Sequence, residues 1–133
     1  MQAAAVGTGG TIGWLVGEVD GLIIVLLIFT VIDYVTGVLR AIIEKKLSSN
    51  IGFKGAVKKV MIFVLIVVAS QIDTYLLNDN DMIRTAVIFF YIANEAISIL
   101  ENAAQIGVPI PDKLKEILEQ IHGKNDKDDD KDN

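Results

Sequence analysis

Between Leu22 and Leu77 the chain reads LIIVLLIFTVIDYVTGVL, then RAIIEKKLSSNIGFKGAVKK, then VMIFVLIVVASQIDTYLL. The middle stretch carries six basic residues, Arg40, Lys45, Lys46, Lys54, Lys58 and Lys59, against the single acid Glu44. A soluble domain has no use for a cationic knot clamped between two such apolar runs. In a bilayer the arrangement has a direct cause, because Lys and Arg close to span ends stay on the cytoplasmic side and set orientation. The stretch is therefore read as a cytoplasmic loop, and its six cations as topology determinants.

Composition agrees with a membrane class. Of 133 residues, 52% are hydrophobic and only 22% charged, and the charges are clustered rather than spread. Mean hydropathy is +0.49. The net charge of −5 is dominated by the end of the chain, where eight acids and five lysines follow from Asp112 onward. The one basic cluster sits between apolar spans, so a nucleic-acid partner is not expected. With no cysteine and a lone His122, no thiolate or metal site is expected, and no cofactor. Met1 to Gly21 contains no basic residue and so lacks the n-region of a cleavable signal peptide.

These features predict an all-α integral membrane protein with three transmembrane helices, at about 22–43, 57–77 and 85–108, each near the ~20 residues a span needs. The short NDNDMIR link between the second and third has little positive charge, as expected of an external loop. The N-terminus is then outside and the C-terminus cytoplasmic. Residues 1–21 form an Ala/Gly-rich segment in which Gly9, Gly13, Gly17 and Gly21 recur at every fourth position. On a helix they would make one face for close helix approach; otherwise the segment is a loose terminus. Pro109 and Pro111 stop the third helix. Residues 109–122 read as a short amphipathic helix, lying on the inner membrane surface or against another copy. Residues 123–133 read as a disordered charged tail.

Polar residues within the spans are the functional candidates. Asp33 interrupts the first span near its middle, where an ionised carboxylate costs about 2.5–3.5 kcal/mol on insertion scales. In the third span Tyr91, Glu95, Ser98, Asn102 and Gln105 recur at steps of four, three, four and three, with Asn94 and Glu101 beside them. At 3.6 residues per turn this is one polar face, which must meet protein, water or headgroups rather than acyl chains. Either these groups satisfy one another between helices, or several copies assemble and their stripes line a lesion. No nucleophile with a base and no phosphate loop is present. Glu95 and Glu101 lie about 120° apart around the helix, so they do not converge as a catalytic pair. An enzyme is not expected.

Several stretches resemble the toxin-secretion and phage-lysis holins, small membrane proteins of phages and prophages of Gram-positive bacteria. The matching residues are Asp33-Tyr34-Val35-Thr36-Gly37, then Ser48 to Lys59 with Gly52, Lys54, Gly55 and Lys58. The most specific combination is Asn94-Glu95-Ala96-Ile97-Ser98-Ile99-Leu100-Glu101-Asn102 followed by Gly107-Val108-Pro109-Ile110-Pro111. The resemblance covers roughly Leu22 to Leu118. It implies a homo-oligomer in the host cytoplasmic membrane that forms a timed lesion, releasing a muralytic enzyme or toxin without needing to touch it. It also implies a structural or permeation role for Asp33, Gly37, Glu95, Glu101 and Asn102. Two rivals stand beside it. One is a regulatory antiholin-type partner, the other a small channel or transporter subunit with Glu95 and Asp33 as ion ligands. A third helix lying flat in the interface is a topological alternative.

Overall fold

The computed structural model describes residues 10–78, 80–117 and 120. Those residues contain three long helices, α1 (Gly21–Ile43), α2 (Ser49–Leu76) and α3 (Met82–Ile106), and no strand. Shorter helical stretches cover 10–16 and 112–117. The tail at 123–133, His122 and Gly9 lie outside the described residues.

Each boundary has a local cause. Asp20 caps α1 by accepting from Ile23 N at 3.1 Å. Ser48 caps α2 by accepting from Ile51 N at 3.2 Å. That cap starts α2 eight residues ahead of the expected second span, so the basic loop shrinks to residues 44–48. Lys54 and Lys58 then lie exposed on the first turns of a helix rather than in a loop. Gly107 closes α3 with φ +104°, and its N–H bonds Ala103 O at 3.2 Å and Ala104 O at 3.1 Å.

Helix α3 is the spine. Helix α1 packs along it most extensively, α2 packs on it less, and α1 and α2 barely touch each other. The buried positions follow steps of three and four: Ile23, Leu26, Thr30 and Asp33 on α1; Ile62, Ile66, Ala69 and Asp73 on α2. On α3 they are Arg84, Ile88, Glu95 and Asn102. Val16 joins Ile23, Leu26, Ile62, Ile66 and Ile88 in one apolar cluster. The outer surface is itself apolar, with Ile28, Val31, Val35, Val64, Val68, Phe89 and Phe90 all exposed. A soluble monomer rarely shows so continuous an apolar coat, whereas a bilayer solvates it.

Helices α1 and α3 are long and apolar enough to cross a membrane. Helix α2, expected as the second of three spans, is not among them; it carries Lys54, Lys58, Lys59 and Asp73 along its length. At about 1.5 Å per residue, its 28 residues reach roughly 42 Å, beyond the ~30 Å of a hydrocarbon core.

Candidate functional site

The three helices meet at a charge cluster to which each contributes one residue: Asp33 from α1, Lys59 from α2 and Glu95 from α3. The Lys59 ammonium donates to Asp33 Oδ2 and, at 2.6 Å, to Glu95 Oε2. Glu95 is 2% exposed and Asp33 6%, while Lys59 is half-buried. Two carboxylates removed from water on one cation are stable only if their remaining lone pairs find donors. Asn102 supplies one. Its Nδ2 donates to Asp33 Oδ1 at 3.1 Å, to Asp33 O at 3.3 Å and to Thr36 Oγ1 at 3.0 Å. Arg40 extends the ladder, its Nη1 donating to Asn102 Oδ1 at 3.5 Å and its Nε to Glu44 Oε1 at 3.2 Å. Among the described residues, no buried side-chain nitrogen or oxygen is left without a partner.

Small residues let this seam close. A Cβ at Gly37 would stand 3.7 Å from Asn102 Nδ2, so α1 and α3 approach there in ordinary contact. Beside the cluster lies a cleft of about 230 Å³, lined by Asp33, Lys59, Ser98 and Asn102 together with Gly37 and Gly52. The Tyr34 hydroxyl donates across the α1–α2 opening to Gly52 O at 3.3 Å.

The polar face expected on α3 divides. Glu95 and Asn102 point into the bundle; Ser98 and Glu101 are half-buried; Asn94 and Gln105 are exposed. Lys59, read from sequence as a topology determinant, turns inward, whereas its neighbour Lys58 does not. The glycines at 13, 17 and 21 do not share a helix face. The helical stretch ends at residue 16, Gly17 turns with φ +97°, and Gly21 opens α1 after an extended link.

A second polar knot, not expected from the sequence, sits at the end of the bundle where α1 and α3 begin and α2 ends. Arg84 is 2% exposed. Its Nε donates to Val16 O, its Nη2 to Glu18 O at 2.6 Å, and its Nη1 to Asp20 Oδ2 at 3.0 Å. The Arg84 hydrogen bond holds the Asp20 carboxyl below the usual aspartate range, against the opposing pull of partial burial. Asp73 of α2 accepts from Ile83 N at 3.1 Å and from Arg84 N at 2.7 Å, capping α3 from a neighbouring helix.

Comparison with known proteins gives the chain's relatives. Residues 10–123 match the bacteriophage holin family. A probable holin of Bacillus phage phi105 is 41% identical over 119 residues, spanning 90% of this chain and 87% of the phage protein. An uncharacterised 14.9 kDa protein of Clostridium perfringens is 47% identical over 90% of both chains. An uncharacterised protein of Listeria monocytogenes is 44% identical, covering 98% of this chain and 93% of its own. No solved structure matches the chain.

Proposed function

The chain belongs to the bacteriophage holin family, whose members permeabilise membranes and are not enzymes, and from that premise we propose that it oligomerises in the host cytoplasmic membrane. There it forms the lesion through which a muralytic enzyme, or a toxin, reaches the wall. All three long helices cross the bilayer in this reading, with the N-terminus outside and the basic 44–48 turn and the C-terminus in the cytoplasm. The first three turns of α2 reach the cytoplasmic headgroup layer, where Lys54 and Lys58 meet phosphate.

The observation that carries the reading is the polar seam of α3. Glu95 and Asn102 are buried and bonded to groups of α1 and α2 inside a bundle whose exterior is apolar. This is a storage state: among the described residues every buried side-chain nitrogen and oxygen has a partner within one copy, so the seam can sit in lipid without leaking. Opening α1 away from α3 would bare Glu95, Ser98 and Asn102, which lipid cannot solvate and water can. Several copies opened together would turn these faces toward a shared aqueous space. The engagement of both Asp33 and Glu95 by Lys59 weighs against the two carboxylates acting as ligands of a selective ion channel.

The test is inducible expression in a bacterium holding a cytosolic muralytic enzyme without its own export signal, following membrane potential and turbidity together. Abrupt depolarisation followed by lysis, with no lysis when the enzyme is omitted, is the expected result. Depolarisation without lysis would replace the holin by a small channel. No effect from protein confirmed in the membrane would replace it by a regulatory partner.

A further inference from the structure

We infer that residues 10–20 form a strap that restrains opening of the bundle, with Arg84 as its clasp. The inference rests on the lesion reading above and adds its internal brake. The strap crosses the end of the bundle where α1 and α3 begin, several turns from the mid-bundle Asp33–Lys59–Glu95 cluster. Only Val16 buries an apolar side chain there; Ile12, Trp14 and Val19 are exposed. What holds it is polar and directed at its backbone. Gln71 Nε2 donates to Leu15 O at 3.1 Å, and the Arg84 guanidinium takes Val16 O and Glu18 O as well as the Asp20 carboxylate.

The fit is close. Gly17 lies with φ +97°, and a Cβ there would stand 2.7 Å from Arg84 Nε and 2.8 Å from Ser70 Oγ, so only glycine passes. Arg84 in turn is fixed by its own backbone N–H on Asp73. The strap therefore links α2 through Gln71, α3 through Arg84, and α1 through Asp20, the residue that caps it. Helix α1 is the element that covers the polar seam of α3. While its capping residue, Asp20, is clasped to Arg84, its N-terminal end cannot leave α3. A segment held by a few hydrogen bonds and one apolar side chain can let go without unfolding the helices beneath it.

Because the chain has no cysteine, the strap can be fastened deliberately. The full-length Leu15→Cys/Gln71→Cys variant is placed in phosphatidylethanolamine/phosphatidylglycerol vesicles loaded with a folded muralytic enzyme. The two thiols are joined by a short bis-maleimide with a reducible link. Linked protein is expected to release the enzyme about tenfold more slowly or not at all, with release restored on reduction. Asp20→Asn, which keeps the α1 cap but removes the charge facing Arg84, is expected to shorten the delay before release. Linked protein that releases as fast as the reduced form overturns the brake while leaving the lesion reading intact. Reduced protein that releases nothing overturns the lesion reading, and the brake with it.

Discussion

Lys59 Nζ lies 2.6 Å from Glu95 Oε2, and this bond ties α2 to α3 at the level where the same ammonium reaches Asp33 on α1. Helices α1 and α2 make little other contact, the Tyr34 hydroxyl on Gly52 O being the other hydrogen bond described between them, so Lys59 supplies the charged link. Lys59→Met leaves two buried carboxylates on no cation. Removing one partner of such a group typically costs about 3–5 kcal/mol. Unfolding of the variant in mild detergent, followed by circular dichroism against added dodecyl sulfate, is expected to shift by that order. Lys59→Arg, which keeps the charge, is expected to lose much less.

Asn102 is the donor that completes Asp33. Asn102→Leu strands the second Asp33 oxygen and costs about 1–3 kcal/mol, the range for a buried acceptor left unmade. Gln105→Leu, three residues on and exposed, is expected to change stability by no more than about 0.5 kcal/mol in the same titration.

Asp73 caps α3 through two backbone amides. Asp73→Ala is expected to lower stability by about 1–3 kcal/mol and to raise amide exchange at Ile83 and Arg84 ahead of the rest of α3. Uniform exchange along α3 in the variant would mean the carboxylate does not act as its cap.

The Asp20–Arg84 pair gives the strap an acid limit. Because Arg84 lowers the folded carboxyl below the ordinary aspartate value of about 3.9, the charged form favours the clasped state. That contribution is complete above the ordinary value and is lost as pH falls through the lowered one. Protection of the Val16 and Glu18 region against proteolysis should therefore be flat through neutral pH and fall below about pH 4. Asp20→Asn should remove the fall. A loss of protection near neutrality would assign the titration to another group.

Orientation is tested at Asn80 and Asn125. Asn80→Cys and Asn125→Cys, made separately, are expected to react with impermeant thiol reagents from opposite sides of the membrane. Labelling from the same side would mean that α3 does not cross.

Much of this molecule is legible in its sequence, and the exceptions have physical reasons. The apolar runs predict three spans. Three long helices form, but only α1 and α3 are apolar enough along their length to cross a membrane, because α2 carries Lys54, Lys58, Lys59 and Asp73. Asp33, Glu95 and Asn102 stand out because polar groups there demand partners. Lys59 is harder, since beside Lys58 it reads as one of a pair of interfacial lysines. Register alone does not separate them: Lys59 lies three residues before Ile62 and Lys58 four, so both fit the stripe that continues through Ile66, Ala69 and Asp73. What turns Lys59 inward is the pair of carboxylates it meets on α1 and α3, which spacing along α2 does not reveal. Register does recover Arg84, because the stripe of Tyr91, Glu95, Ser98 and Asn102 runs back through Ile88 to it. Read as loop charge, Arg84 gives no hint of its burial. The carbonyls of Val16 and Glu18 that receive it leave no mark in a sequence at all. The regular spacing of Gly13, Gly17 and Gly21 suggests one helix face, but Gly17 is needed for a turn against Arg84 and Ser70.

The most direct test of the account is size-resolved release from vesicles. Wild-type protein and the Glu95→Leu/Asn102→Leu double variant, each confirmed as inserted, are compared for release of a small dye and of a folded muralytic enzyme. If the buried seam of α3 becomes the lining of the lesion, wild type releases both and the double variant releases neither. Release of the enzyme by the double variant at the wild-type rate would contradict it.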